Sequence, residues 1–159
     1  LMDDSFICAG DRFQSKSKRI CEWSNAELQK AELVVPNPMK GEMGITMDGK
    51  KNPHALSNVK YRKHIVIEFD TGEKEEHFII LAFLAELLPL RLAVDSGGKS
   101  VHGWFFCGDR LADAQKEFFS MATQLGADPT LWSPVQFTRM PLGENRKTKS
   151  MQTPYNYIE

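Results

Sequence analysis

The sequence is poor in net charge and in cysteine. Its 20 basic and 21 acidic residues leave a formal charge of −1 over 159 residues, so no large basic field indicates tight, non-specific binding of duplex nucleic acid. A local groove of lysine and arginine would not show in that total. The three cysteines, Cys8, Cys21 and Cys107, are odd in number and show no CxxC spacing. Structural zinc is therefore not expected, and a reducing cytosol is the natural environment.

Long apolar segments are also absent. The longest apolar run covers residues 78–94 and is interrupted by Glu86, Pro89 and Arg91, so it indicates a buried helix followed by a strand rather than a membrane span. The first residues, Leu1-Met2-Asp3-Asp4, lack the basic start and the apolar stretch of a signal peptide. We therefore expect a cytoplasmic protein without a membrane partner.

The pattern of apolar and polar residues predicts a single α+β domain over residues 1–159. Hydrophobic residues make up 42% and charged residues 26% of the chain, as in ordinary soluble globular proteins. A strand, a covering helix and then an antiparallel hairpin indicate a mixed or antiparallel sheet with helices on one face. The predicted elements are strands at 33–35, 61–70, 90–95, 101–107 and 135–140, helices at 73–88 and 111–125, and an edge strand at 152–158.

The first third of the chain has weaker patterning. Residues 1–31 are polar and are predicted to form an irregular N-terminal extension, in which Ser24 caps a helix with Glu27 at the capping-box position. The basic run at 16–19 is typical of a solvated surface, with a nucleic-acid contact as the alternative. Glycine-containing residues 40–58 indicate a hairpin or a long loop.

The helix at 73–88 has acidic residues in its first turn, Glu73, Glu75 and Glu76, where they complement the positive end of the helix dipole. Past His77 it is apolar nearly all round, so we expect it to be buried against a sheet. His77 is expected to be a surface residue at the helix start rather than a ligand.

Two carboxylates lie towards the end of the strand at 61–70. Side chains alternate between the two faces of a strand, so Ile65 and Ile67 share the core face whereas Glu68 and Asp70 share the other. Their Cα atoms would lie roughly 6–7 Å apart, close enough for both side chains to hold one hard cation such as Mg²⁺ or Mn²⁺. The alternative is that the two acids belong to an exposed strand end and serve only solubility.

A loop rich in glycine and hydroxyl groups follows the strand at 90–95. The run Asp95-Ser96-Gly97-Gly98-Lys99-Ser100-Val101-His102 has a composition suited to holding an anion. It is not a P-loop, because Ala93 occupies the position of the first glycine and a strand, not a helix, follows Ser100. Lys99 can still reach a phosphate as a point charge. His102 alternates with aromatic residues, and a histidine in such a pattern is ordinarily a hydrogen-bonded residue of the core.

In combination, these motifs resemble those of the archaeo-eukaryotic primase superfamily. Ile67-Glu68-Phe69-Asp70 followed by a helix is similar to its first motif. The run from Ser96 to His102 resembles the SGGKGxH-type loop of bacterial end-joining ligases and of plasmid and phage primase-polymerases. The block that begins with Asp128-Pro129-Thr130-Leu131-Trp132 and ends with Gln136-Phe137-Thr138-Arg139-Met140-Pro141 resembles the RxP-containing segment of the mobile-element members.

The resemblance implies a role for each matched residue. Glu68 and Asp70 match the family's metal-binding acid pair. The resemblance implies that both are catalytic residues and that they bind Mg²⁺ or Mn²⁺ as the cofactor. Asp128 is the candidate third metal-binding acid, and a turn former is the alternative. His102 is implied in catalysis through a hydrogen bond whose strength depends on its protonation. The implied nucleotide-binding residues are Ser96, Gly98, Lys99, Ser100, His102 and Arg139.

The implied fold is an RRM-like primase-polymerase catalytic core, and the implied activity is DNA-dependent nucleotide transfer to a 3′ hydroxyl. Its partners would be nucleoside triphosphates, a single-stranded DNA template and a fused or associated helicase, in a longer replication protein of a mobile element or phage. Two alternatives stay open. One is an inactive nucleotide- or single-strand-binding module of replication initiation. The other is a metal-dependent nuclease, since a carboxylate pair on a sheet also suits phosphodiester hydrolysis.

Overall fold

The computed structural model describes residues 5–156. Its strands, in chain order, are β1 Phe6–Gly10, β2 Ser15–Arg19, β3 Leu33–Val34, β4 Gly44–Ile45, β5 Lys51–Asn52, β6 His64–Ile67, β7 Leu90–Asp95, β8 Val101–Phe106, β9 Thr138–Arg139, β10 Glu144–Asn145, β11 Ser150–Met151 and β12 Thr153–Asn156. The α-helices are α1 Asn25–Lys30, α2 Lys74–Ala85 and α3 Ala112–Gln124. Short 3-10 turns cover Ile20–Glu22, Leu56–Asn58 and Pro129–Trp132.

Two four-stranded antiparallel sheets organise these elements. The main sheet has the strand order β12-β7-β8-β6, and the second sheet has the order β2-β1-β3-β9. In the main sheet β8 pairs with both β7 and β6, so the connection from β6 through α2 to β7 passes over β8. Two-stranded ribbons, β4 with β5 and β10 with β11, extend from this framework.

Helices α2 and α3 cover one face of the main sheet. The largest core cluster joins β6 and β8 to both helices, with Phe105, Leu81 and Phe118 among its buried members. The side chain of Leu81 on α2 packs directly on the backbone of β8 at Gly103, where a Cβ atom would lie 2.4 Å from Cδ2 of Leu81. Burial of these apolar side chains is the main force that holds the helices on the sheet.

The second sheet lies against the opposite face of the main sheet. Trp104 on β8 packs against a cluster of Ala9, Ala31 and Val34 from β1, β3 and the residue that ends α1. The side chain of His102, two residues earlier on the same face, reaches Thr138 on β9. His102 and Thr138 therefore lie where the two sheets meet.

The fold class predicted from the sequence is confirmed. The hairpin of β7 and β8, the helix α3 and the antiparallel sheet with helices on one face are present as expected. Ser24 caps α1 and forms a capping box with Glu27. The glycine-containing stretch at 40–58 contains the hairpin of β4 and β5. Within the described residues, no helix combines the length and the apolar character needed to cross a bilayer.

Several expectations about the strands were wrong. Residues 1–31 are not irregular where they are described, because β1 and β2 form a hairpin that belongs to the second sheet. The strand predicted at 61–70 is shorter, His64–Ile67, because β8 pairs with those four residues and the chain turns away after them. The predicted strands at 33–35 and 135–140 shorten to Leu33–Val34 and Thr138–Arg139.

His77 and the helix that carries it also differ from expectation. His77 is 2% exposed rather than on the surface, because the chain after β6 folds over it: its ring stacks on Phe69, and its Nε2 lies 2.9 Å from the carbonyl oxygen of Thr71. Helix α2 is not buried all round. Ile79 and Phe83 are 69% and 54% exposed, since only one face of the helix meets the sheet.

The last strand forms at the edge of the main sheet, as predicted, by antiparallel pairing of β12 with β7. It begins at Thr153 and is described as far as Asn156. Positions 157 and 158 of the predicted strand lie outside the described residues.

Candidate active site

The acid pair lies at one end of the main sheet, on the segment that follows β6. Ile67 is the last paired residue of β6 and lies opposite Gly103, so Glu68 comes next to His102 at the start of β8. Phe69 is buried between the two acids and anchors the segment, while Asp70 is exposed. The antiparallel pairing thus brings the acids to the same end of the sheet as the loop between β7 and β8.

Asp128 lies beside the acid pair although it is distant in sequence. Its backbone N–H donates a hydrogen bond to the carbonyl oxygen of Glu68 at 2.9 Å. Its carboxylate caps the following 3-10 turn: Oδ1 accepts from the backbone N–H of Thr130 at 2.9 Å, and Oδ2 accepts from the Thr130 hydroxyl at 2.6 Å. The turn-forming role considered for Asp128 is therefore present, together with a position next to Glu68.

The carboxyl group of Glu68 has a raised pKa. Its side chain is 21% exposed, and burial raises its pKa from 4.5 to about 7. The negative charges of Asp70 and Asp128 contribute to that rise in pKa, and the positive charge of Arg139 opposes it. A largely buried carboxylate that feels the charge of two other acids is poorly stabilised without a cation.

His102 is buried behind Glu68. Its Nδ1 lies 3.2 Å from Oε2 of Glu68 and 3.0 Å from the hydroxyl of Thr138, and its Nε2 lies 3.3 Å from the hydroxyl of Ser100. Complete burial, together with the nearby charge of Arg139, lowers the pKa of His102 to about 3. The imidazole is therefore neutral, and its contact with Glu68 is not an ion pair. The implied contact between His102 and a phosphate stays a prediction.

The loop between β7 and β8 is shaped by its own polar side chains. The hydroxyl oxygen of Ser96 accepts hydrogen bonds from the backbone N–H groups of Gly98 and Ser100, both at 3.2 Å. The carboxylate of Asp95 accepts one from the N–H of Gly97 at 2.9 Å. Gly97 has a φ of +67°, a conformation that favours glycine. Ser96 is buried, so its hydroxyl acts on the loop's conformation in this structure.

The ribbon of β10 and β11 supports this loop from outside. The side-chain amide of Asn145 donates to the carbonyl oxygen of Ser96 at 2.7 Å, and the hydroxyl of Thr148 donates to that of Gly97 at 2.7 Å. Asn145 is buried, and its amide oxygen also accepts from two backbone N–H groups of the turn it begins. The ribbon thereby holds the loop in one conformation.

A cleft of about 600 Å³ lies between the acid segment and the loop. Asp70 and the first residues of α2 line it together with Gly98 and Lys99. Lys74, also in the lining, forms an ion pair of 2.7 Å with Asp95, which ties the start of α2 to the base of the loop. A cleft of this size, with an acid, a lysine and loop backbone around it, is suited to a polar ligand of nucleotide dimensions.

Arg139 reaches the site from the second sheet. Its Nη1 lies 2.6 Å from Oε1 of Glu32, and both side chains are largely buried. Its charge acts on both Glu68 and His102, whose pKa values it lowers. Arg139 therefore supplies positive charge next to the acid pair, although its guanidinium already has one acidic partner.

The structure brings most of the sequence-predicted site residues to one end of the main sheet. Glu68, Asp70 and Asp128 form one group, and the loop residues Ser96, Gly98, Lys99 and Ser100 form another, with His102 and Arg139 beside the acids. Sequence reasoning did not assign roles to the supporting residues Glu32, Lys74, Asp95, Thr138, Asn145 and Thr148. Only spatial contacts identify these six, because each is an ordinary polar residue in its local sequence.

The donor set suits a hard divalent cation in charge and in chemistry. Carboxylate oxygens are the ligands that Mg²⁺ and Mn²⁺ prefer, and a cation here would offset the negative charges of Asp70 and Asp128 that contribute to the raised pKa of Glu68. The acids do not, however, form a complete metal site in this structure. Among residues 5–156, no group of three or more His, Cys, Asp or Glu side chains is arranged to hold a metal ion, and Asp128 is occupied by Thr130.

A solved structure shares this architecture. No protein-family model matches the sequence, and no curated protein is detectably similar to it. The AEP domain of the primase-polymerase of cyanophage S-2L matches 98% of this chain and 82% of its own chain, with a TM-score of 0.62 and 16% sequence identity. The chain has the archaeo-eukaryotic primase fold. The resemblance inferred from the motifs is thus confirmed at the level of the fold.

In this primase fold, the acid segment and the loop lie at the same end of the main sheet, and Asp70 borders one cleft with Gly98 and Lys99. At 16% identity the similarity establishes the fold. The chemistry has to be argued from the chain's own residues.

Proposed function

We propose that this domain is the catalytic domain of a primase-polymerase, which transfers nucleotides to a 3′ hydroxyl on a single-stranded DNA template. The observation that carries the proposal is the shared cleft, in which Asp70 lies with Gly98 and Lys99, with Glu68 two residues before Asp70 and largely buried. Phosphoryl transfer needs acids for metal ions on one side of a triphosphate and positive charge on the other. The cleft has both.

In this proposal the loop binds the triphosphate. Lys99 provides a point charge and its own backbone N–H as a hydrogen-bond donor, because the N–H groups of Ser96, Gly97, Gly98 and Ser100 already bond within the loop. Glu68 and Asp70 would hold Mg²⁺ or Mn²⁺, whose chemical contribution is to neutralise negative charge on the phosphates. Neutral His102 orients Glu68, and Ser100 orients His102. The charge of Arg139 offsets part of the repulsion within the acid group.

The proposal also covers the biological process in which the domain acts. The block at 128–141 resembles the mobile-element members of the family, and the solved structure with the same fold comes from a phage protein. We therefore propose a role in the replication of a mobile element or phage, with nucleoside triphosphates and single-stranded DNA as partners.

Incorporation of labelled nucleotides on a mixed-sequence single-stranded DNA template, with Mn²⁺, tests the proposal. Wild type should form product, and Asp70→Ala should form none, because the cleft then loses its exposed acid. Asp113→Ala, which removes an exposed acid from α3, is the matched control and should retain full activity. Equal product from wild type and Asp70→Ala would contradict the assignment of the site.

A second candidate is a domain that keeps the fold and binds nucleotide or single-stranded DNA without synthesis. The observation that favours it is Asp128, whose two carboxylate oxygens are both engaged by Thr130 rather than turned to the acid pair. Mn²⁺-dependent binding of a labelled nucleotide by a folded protein that incorporates none would select this candidate. Incorporation would exclude it.

A further inference from the structure

A second cleft lies away from the candidate active site, beside the hairpin of β1 and β2. Its volume is about 750 Å³, and residues of that hairpin, of α1 and of β5 line it. Arg146, in the turn between β10 and β11, completes the lining. None of the residues of the proposed active site borders this cleft.

The cleft carries an excess of positive charge. Its two acids are already neutralised, since Asp11 pairs with Arg146 at 2.7 Å and Glu27 pairs with Lys18 at 2.6 Å. Three further cations in the lining are exposed and form no ion pair within the described part of the chain: Lys16, Lys30 and Lys51. The near-zero net charge of the whole protein conceals this local field.

An exposed aromatic ring lies at the rim of the same cleft. Phe13, in the turn of the β1–β2 hairpin, is 84% exposed, and the guanidinium of Arg12 lies 5.4 Å from its ring centroid. Trp23 forms part of the wall and is fixed there, because its Nε1 donates to the carbonyl oxygen of Ile7 at 3.3 Å. A solvent-exposed phenylalanine contributes nothing to the core, whereas aromatic rings beside cations are the elements that bind single-stranded nucleic acid.

We propose that this cleft binds single-stranded nucleic acid, with the bases stacked on Phe13 and the phosphates held by the lysines. An acidic peptide would also be attracted by the lysines, but it has no use for an exposed aromatic platform. Identifying the bound strand as the template rests on the function proposed above.

The cleft and the candidate active site both involve the β10–β11 ribbon. Arg146 lies next to Asn145, whose side chain holds the carbonyl oxygen of Ser96 at 2.7 Å. The β10–β11 ribbon therefore contributes a lining residue to the cleft and a support to the nucleotide-binding loop.

Fluorescence anisotropy with a short labelled oligothymidylate, measured over a series of salt concentrations, tests the inference. Phe13→Ala should weaken binding by about five- to a hundredfold with an unchanged salt dependence, since stacking carries no charge. Lys51→Glu should weaken binding and also reduce the slope of log Kd against log salt concentration by about 0.7 for each phosphate that the variant no longer neutralises. Matched controls are Phe83→Ala on α2 and Lys116→Glu on α3, both exposed residues far from the cleft in sequence, and both should bind as wild type does.

The outcomes separate this inference from the proposed function. If the cleft variants and their controls bind the oligonucleotide equally well, the cleft assignment is overturned, even if the wild type incorporates nucleotides. If the cleft variants lose binding while the wild type incorporates nothing, the cleft assignment stands and the polymerase proposal fails. Competition by polyglutamate as effective as that by unlabelled oligothymidylate would overturn the choice of nucleic acid.

Discussion

Replacing Glu68 by glutamine should remove a pH-dependent cost of folding. Burial raises the pKa of the Glu68 carboxyl from 4.5 to about 7, and the negative charge of Asp70 contributes to the rise. Glutamine keeps the size and shape of the side chain but cannot ionise. A comparison of the variant with the wild type therefore isolates this one titration from those of the other groups.

The sign of the effect follows from where the proton is bound. Below about pH 4, Glu68 is protonated in both the folded and the unfolded chain, so its ionisation does not affect stability. Between 4.5 and about 7, the unfolded chain releases the proton that the folded chain retains, and the free energy of unfolding falls as the pH rises. At about pH 8 the loss is nearly complete and amounts to about 3 kcal/mol, at about 1.4 kcal/mol per pKa unit.

Urea unfolding in EDTA, from about pH 4 to about pH 8, measures this effect. The free energy of unfolding of Glu68→Gln minus that of the wild type should increase by about 3 kcal/mol across the range. Glu117→Gln, on the exposed side of α3, should give a difference that does not change with pH. A pH-independent difference for Glu68→Gln too would refute the burial and charge coupling assigned to this carboxyl.

Further predictions concern the metal, the neighbouring arginine, the loop and the core. Mn²⁺ added at about pH 8 should stabilise the wild type and leave Glu68→Gln nearly unchanged, which thermal unfolding with and without the metal would reveal. Arg139→Met removes the charge that lowers the pKa of Glu68, so the midpoint of the pH-dependent stability loss should move to higher pH; a midpoint at lower pH would contradict the assignment. Asn145→Ala should lower the free energy of unfolding by about 1–3 kcal/mol and weaken nucleotide binding, because the loop carbonyl loses its buried donor. Gly103→Ala should cost about 1–3 kcal/mol in urea unfolding, since the new Cβ would meet Leu81 at 2.4 Å; unchanged stability would show that α2 can shift freely.

Elements with a clear period were predicted well from the sequence. The hairpin of β7 and β8 has a short polar loop between alternating apolar strands, and α3 has apolar residues at helical spacing with Gly126 at its end. In both cases local chemistry and tertiary packing favour the same conformation. The β1–β2 hairpin was missed because its strands, FICAG and SKSKR, show no period-two alternation of apolar and polar residues.

The misjudged burial of α2 has a different physical cause. A helix that is apolar nearly all round offers no pattern by which the buried face can be distinguished from the exposed one. The sheet selects the face of Leu81 and Leu84, and it also buries His77 because that residue lies on the same face. Ile79 and Phe83 are left exposed on the other side.

The residue types at the candidate site could be predicted from the sequence because each motif is local. One motif is a pair of acids separated by one residue at the end of a strand, and the other is a loop of glycine, hydroxyl and lysine residues between two strands. The chain order of the motifs was also enough to indicate the fold. Local chemistry determines which groups are offered to a ligand, because ionisation and hydrogen-bonding capacity are properties of each side chain.

The tertiary structure decided what those groups do to one another. Glu68 has a raised pKa because two distant parts of the chain bury it next to Asp70 and Asp128, and His102 is neutral because the second sheet covers it. The loop at 96–100 is held by Asn145, more than forty positions later in the chain, at 2.7 Å. Distance and burial set the strength of every electrostatic interaction, and neither is encoded in the local sequence.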